Sequence, residues 1–144
     1  MLYNQIMLIS VKGTYALRVL TDMAKHDGQN NYLCICDIST RLNISRKYLE
    51  TIMTLLAKNG LIDSKRGASG GYRLIKEAKD YNLLEIMEAL EEDLSPISCL
   101  SDASSCRNCS ICPTFDTFKE LQDTICEYLK TKTLQDLINP DIDC

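Results

Sequence analysis

Residues 36 to 75 constrain the fold most tightly, because two apolar stripes at helical spacing, joined by Asn43-Ile44-Ser45, run directly into a glycine-rich reversal. Ile38 and Leu42 stand four apart and predict a short helix over Cys36 to Leu42. Ser45 is a good N-cap, since its hydroxyl can accept an otherwise unpaired N–H at a helix start. From Arg46 to Asn59, the residues Leu49, Ile52, Met53 and Leu56 make one buried stripe, while Arg46, Lys47, Glu50, Thr51, Thr54 and Lys58 lie mainly outside it. Gly60 ends that helix. A short helix, a tight turn and a longer helix with a polar outer face form the helix-turn-helix pattern, whose second helix enters the DNA major groove.

Leu61 to Arg66 and Tyr72 to Ile75 are short extended runs on either side of Gly67-Ala68-Ser69-Gly70-Gly71, which predicts a β-hairpin. Behind a helix-turn-helix such a hairpin is a wing. Lys65, Arg66 and Arg73 place positive charge there, where it would meet phosphates or a narrow minor groove. The glycine-rich string lacks the Gly-Lys-Ser/Thr ending of a phosphate-binding loop and precedes a strand, which argues against a nucleotide site.

Further helical patterns flank this unit. Ser10 to His26 reads as a first helix with Ser10 as N-cap and His26, the sole histidine, near its C-terminus. Leu83 to Glu92 reads as a helix packed behind the wing. Thr114 to Lys130 carries Phe115, Phe118, Leu121, Ile125, Tyr128 and Leu129 at steps of mostly three and four, a long amphipathic helix whose face requires a partner. A homodimer centred on this helix is expected, because dimers match two-fold operators in double-stranded DNA. The expected fold is mainly α with a small β-hairpin, a winged helix-turn-helix plus a long C-terminal dimerisation helix. Residues 1–80 form the DNA-binding unit, 81–98 a linking helix, 99–113 a cysteine-rich sensor loop, and 114–144 the dimerisation helix and tail.

Charge supports this division. The net charge of -4 argues against a polyanionic partner only as an average. Residues 41 to 76 hold eight Lys or Arg against two acids, whereas residues 80 to 144 hold four against fourteen. A basic reading surface is thus fused to an acidic element with a different task. No stretch reaches the ~18 apolar residues of a membrane span and no export signal is seen, so a cytoplasmic protein is expected.

In that compartment, eight cysteines favour metal ligation over disulfides. Cys99, Cys106, Cys109 and Cys112 cluster together, and thiolates are soft ligands for zinc or an iron-sulfur cluster. Cys106, Cys109 and Cys112, followed by Pro113, partly echo a ferredoxin run without its fourth member. Four-thiolate zinc usually takes two separated pairs, so spacing leaves the metal open. Cys126 reads as a small packed residue, and no redox role for Cys34, Cys36 or Cys144 follows from sequence. A single histidine leaves no catalytic triad, and no paired-acid motif stands out, so an enzyme is not expected. A metal carrier module without DNA binding would have no use for the basic wing.

Separate motifs in order, Ser10-Val11-Lys12-Gly13-Thr14-Tyr15-Ala16-Leu17-Arg18, Ile44-Ser45-Arg46-Lys47-Tyr48-Leu49-Glu50, Lys58-Asn59-Gly60-Leu61-Ile62 and Ser64-Lys65-Arg66-Gly67-Ala68-Ser69-Gly70-Gly71-Tyr72, resemble the IscR, NsrR and CymR family of bacterial winged-helix regulators. The ending Thr133-Leu134-Gln135-Asp136-Leu137 is similar too, and the likeness runs from about Met7 to Ile138. It implies Met7 as the natural start, with residues 1 to 6 an extension. It also implies reading by the helix from Arg46, a minor-groove contact from Arg66, dimerisation through the long C-terminal helix, and an influence of Glu50 on which sites are read. Within the reading helix, Arg46, Lys47, Tyr48 and Thr51 are the candidates for base or phosphate contact. Finally the resemblance implies a repressor whose DNA binding responds to an iron-sulfur cluster, of two-iron or four-iron form, redox state or nitric oxide, with a cluster-free regulator, for example of cysteine metabolism, as the alternative.

On the same resemblance Cys99, Cys106 and Cys112 are three ligands, and a cluster is favoured over zinc. The fourth ligand departs from the family pattern: Phe115 stands where some relatives have histidine, and Thr14 where others have an aspartate supplied by the partner subunit. Cys109 is the candidate in this chain, with Asp116 as a fallback.

Overall fold

The computed structural model of the chain describes residues 9–90, 92–101 and 109–139. Helix α1 (Val11–Lys25) starts at Ser10, whose side chain accepts from the Gly13 N–H, and ends at His26. The His26 ring nitrogen Nδ1 lies 2.8 Å from the Asp22 carbonyl, as its position at the helix end leads one to expect. Helices α2 (Ile35–Leu42) and α3 (Arg46–Lys58) follow, joined through Asn43 in the left-handed conformation and Ser45, whose hydroxyl accepts from the Tyr48 N–H. The connection is fastened again by Ser39, whose hydroxyl donates to the Ile44 carbonyl at 2.7 Å.

Gly60 (φ 70°) reverses the chain out of α3 at no steric cost and leads into β1 (Ile62–Lys65), antiparallel to β2 (Gly71–Leu74). A third extended segment, which the alternation pattern did not reveal, lies beside β2. Leu33 and Tyr72 exchange both backbone hydrogen bonds, at 2.8 and 2.9 Å, and the Leu74 N–H donates to the Gly28 carbonyl. Gly71 (φ 151°) permits this pairing, since a Cβ there would come within 2.3 Å of the Leu33 carbonyl oxygen.

Tyr81 fixes the hairpin to the rest of the unit. It is fully buried; its hydroxyl donates to the Leu61 carbonyl at 2.6 Å and accepts from the Ile75 and Lys76 N–H groups. Burial pushes its phenol above the ordinary range, so the donor proton is retained.

Helix α4 (Leu83–Ala89) is shorter than the pattern to Glu92 predicts. It closes at Leu90, and the Glu92 carboxylate turns instead to Ser10, accepting from its N–H and hydroxyl at the start of α1. Its main neighbours are α1 and the long helix α6 (Phe115–Thr131), so the expectation that it packs behind the wing is corrected. A short α5 (Ser98–Ser101) and a 3-10 turn (Cys109–Ile111) lie within the segment expected to be loop. The expected tail contains α7 (Leu134–Ile138), which returns to pack on α1. The strand-like bridge between Asn82 and Thr133 ties the starts of α4 and α7 together, flanked by hydrogen bonds from Leu83 N–H to the Lys132 carbonyl and from Leu134 N–H to the Tyr81 carbonyl.

Candidate nucleic-acid interface and cysteine segment

The core dictates which side of α3 faces outward. Leu49, Ile52, Met53 and Leu56 are fully buried, which leaves Arg46, Lys47, Glu50 and Thr51 exposed. Two cations in the first turn, with no acid in that turn, oppose the helix dipole, whose positive end lies there. Such a start is unfavourable for the helix alone and favourable for holding an anion. Arg46 pairs with Glu50 one turn on, Nε to Oε1 at 3.3 Å, so Glu50 sits within the cationic group rather than apart from it. Tyr48 is only half-exposed, because its ring packs edge-on against Tyr15 of α1 at 5.7 Å between centroids. The Arg18 guanidinium covers the Tyr15 ring at 5.1 Å, extending positive charge onto α1.

The wing has an internal brace at its base. Asp63 and Arg73 are cross-strand partners and form an ion pair, Nη2 to Oδ2 at 3.2 Å. The Tyr32 hydroxyl donates to the same carboxylate, and its ring is approached by Arg73 at 4.8 Å and Lys65 at 5.6 Å. The hydrogen bond from Tyr32 holds the Asp63 carboxyl below its usual range and raises the phenol. Arg73 is therefore partly committed to the wing itself, and its Nε finds no hydrogen-bond partner among the described residues. Lys65 and Arg66 are exposed at the strand end, beside a tip turned by Gly67 (φ 108°).

The basic segment read from sequence thus divides by task. Arg41 makes a bidentate pair with the buried Asp22 of α1, with Nε 3.0 Å from both carboxylate oxygens and Nη2 2.6 Å from Oδ2, and so holds α2 in place. Lys76 pairs with Glu85 of α4. Lys47, Lys58 and Arg66 make no ion pair with any described residue and remain available to a phosphate backbone. Sequence reasoning missed the Arg41–Asp22 and Tyr32–Asp63–Arg73 groups because each joins residues distant in the chain. Only the alternation of Asp63 and Arg73 across the hairpin hinted at the second.

Residues 9–140 match a family model described as Rrf2, iron-dependent transcriptional regulator. The chain belongs to the Rrf2 family. It is 35% identical over 133 residues to the HTH-type transcriptional regulator IscR of Photorhabdus laumondii, covering 92% of this chain and 80% of that protein. Among solved structures it is similar to CymR, the global cysteine regulator of B. subtilis, with a TM-score of 0.69 and 30% identity over 90% of this chain and 95% of that one. It is likewise similar to T. potens IscR, with a TM-score of 0.67 and 29% identity over 90% of this chain and 85% of that one. This chain is a winged helix-turn-helix, DNA-binding transcription regulator and not an enzyme, as its sequence implied. No helix among the described residues is long and apolar enough to cross a membrane.

The cysteine segment of this Rrf2 protein precedes α6. Cys99 lies on α5 and Cys112 just before α6, each half-buried with a free thiol. The Thr114 hydroxyl, 3.3 Å from the Cys112 sulfur, and the Thr114 N–H hold that thiol below its ordinary range, closer to the thiolate a metal needs. Cys109 lies on the 3-10 turn, and Cys106, Cys144 and residues 1 to 6 lie outside the described residues. Among the described residues no three His, Cys, Asp or Glu side chains gather as a metal site. Phe115 begins α6 half-buried, and Thr14 is exposed with its hydroxyl bonded to the Ser10 carbonyl at 3.3 Å. Cys126 is part-buried on α6, and burial raises its thiol, consistent with a packing role.

Proposed function

We propose that two copies of this regulator bind a two-fold operator as a cytoplasmic repressor, and that its cysteine segment holds an iron-sulfur cluster that sets the strength or choice of binding. The observation that carries the dimer is the uncovered face of α6, where Leu121 is 44% and Tyr128 61% exposed although both belong to the apolar pattern. In the dimer these faces meet, and each α3 enters a major groove about one turn, ~34 Å, from the other. Arg46, Lys47, Tyr48, Glu50 and Thr51 are the reading-helix residues, with Lys65, Arg66 and Arg73 on the wing. Lys47 and Arg66 contribute chiefly by phosphate or minor-groove contact, Thr51 and Glu50 by base discrimination, and Arg73 by bracing the wing.

Cys99, Cys106 and Cys112, with Cys109 as fourth donor, suit a cluster in their chemistry. They are soft donors, the described thiols are free, and Cys112 is held towards its thiolate. A bound cluster would supply a cross-link between α5 and the start of α6. The chain's own residues carry the rest: Glu92 bonds the N-cap Ser10 of α1, and α4 packs against both α1 and α6, so the helix that follows the cysteine segment is linked to the DNA-binding unit through α4. The likeness to CymR favours a second reading, a cluster-free regulator of cysteine metabolism. Anaerobic purification with visible spectra and iron, sulfide and zinc analysis separates the two. Iron and sulfide in equal amounts, with operator affinity that changes on chelation, supports the cluster. A colourless, metal-free dimer with unchanged DNA binding overturns it.

A further inference from the structure

Two exposed thiols stand at the start of α2, away from the cysteine segment. Cys34 is the N-cap of α2, and its sulfur accepts from the Cys36 N–H at 3.4 Å. Both residues are exposed and free. Ile35 between them is helical, which sets the two Cα atoms about 5.4 Å apart, inside the ~4.4–6.8 Å window of disulfides. Both thiols are open to a small oxidant, and the Cys34 side chain, as cap, turns back over the start of α2 to the Cys36 backbone, which brings its sulfur towards the second cysteine.

We propose that Cys34 and Cys36 form a peroxide-sensitive dithiol, whose closure to an intramolecular disulfide loosens the helix-turn-helix and weakens operator binding. The Cys34 thiolate attacks one peroxide oxygen and the O–O bond breaks, giving a Cys34 sulfenic acid and hydroxide, which takes up the thiol's proton as water. The Cys36 sulfur then attacks the Cys34 sulfur. The S–S bond forms, and hydroxide leaves with the Cys36 proton as a second water. Two thiols are oxidised by two electrons and one peroxide is reduced.

The local environment assigns the roles. Hydrogen bonds from the Cys36 N–H and then from the Cys36 thiol hold Cys34 below the ordinary thiol range. Cys36 is pushed up, mainly by its hydrogen bond to Cys34, while Arg46 pulls the other way. Cys34 is thus the nucleophile and Cys36 the resolving thiol. Closure takes the Cys34 sulfur away as cap of α2, and α2 supports the turn into α3 through the Ser39–Ile44 hydrogen bonds. The Arg46 guanidinium of the reading helix lies near Cys36, so the change occurs beside a DNA-facing residue.

The test begins from full-length, reduced, anaerobically purified protein. Hydrogen peroxide is added, free thiols are alkylated, and the chain is cut with trypsin after Lys25 and Arg41, which releases Cys34 and Cys36 in one peptide with no other cysteine. The expected product is that peptide about 2 Da lighter and unalkylated, restored by dithiothreitol, with Cys36→Ala trapping a dimedone-reactive Cys34 instead. Operator affinity, read on duplex selected from a random pool, should fall about tenfold in the wild type beyond any loss in Cys34→Ser, which keeps an N-cap. A peptide alkylated at both cysteines after peroxide overturns the proposal, as does equal peroxide loss in Cys34→Ser and wild type. The DNA readout rests on operator binding by α3 and the wing, whereas the peptide readout does not, so failure of either is recognised separately.

Discussion

Helices α3 and α6 carry similar apolar stripes and end in opposite situations. In α3 the stripe Leu49, Ile52, Met53 and Leu56 is fully buried, with α2, β1 and α4 closed around it. In α6 only Leu129 is buried, with α4 as its main neighbour, and Leu121 and Tyr128 face outward. A periodic pattern specifies that a face is apolar; the number of neighbouring elements decides whether the chain can fill it. The same contrast separates charge. The outward side of α3 carries Arg46 and Lys47, whereas residues 80–144 carry fourteen acids, so the half proposed to meet a second copy repels DNA.

Truncation on the two stripes gives the largest expected difference. Leu56→Ala should cost about 2–5 kcal/mol of folding stability, through lost transfer energy and the cavity left behind. It would be read from the denaturant midpoint. Leu121→Asp, on the exposed stripe, should leave the far-UV spectrum intact while shifting sedimentation from dimer to monomer. If Leu121→Asp unfolded the chain and Leu56→Ala did not, the contrast between the helices would be reversed.

A second pair of variants sharpens the comparison within the acidic half. Cys112→Ser should lose most bound iron and sulfide, whereas Cys126→Ser on α6 should retain them and lose under about 1.5 kcal/mol of stability. Equal iron content in both would remove Cys112 from the ligand set.

Most elements were legible in the sequence because their signals are local. Ser10, Ser45 and Gly60 mark helix ends, and the 3.6-residue stripes mark the faces of α1, α3 and α6. The exposed reading-helix residues followed from the same stripe. What escaped depends on residues far apart in the chain: the Leu33–Tyr72 bridge, the Tyr81 hydroxyl under the hairpin, the Asp22–Arg41 pair, and the turn of Glu92 towards Ser10 that ends α4 early. The short helices α5 and α7 lack the length over which periodicity accumulates. The cysteine segment was legible as chemistry but not as geometry, since one-dimensional spacing does not specify how thiols converge.

The smallest expected effect concerns the wing brace. The Asp63 carboxyl lies below its ordinary value of 3.8, held there first by Tyr32 and also by Arg73. A depressed carboxylate stabilises the fold fully above its unfolded value and loses that contribution as pH falls through its folded one. Asp63→Asn should therefore differ from wild type near neutral pH and begin to converge with it only as pH falls below about 3.8, by a small amount because the pair is only half-buried. A difference that grows with acid would contradict the brace.

The central claim is that an acidic protein grips DNA through cations arranged on α3 and the wing, and salt titration of binding to pool-selected duplex tests it most directly. The logarithm of affinity should fall linearly and steeply with the logarithm of salt concentration. Lys47→Ala and Arg66→Ala should each weaken binding and lower the slope by about one. Affinity indifferent to salt, or a slope unchanged in both variants, would contradict the account.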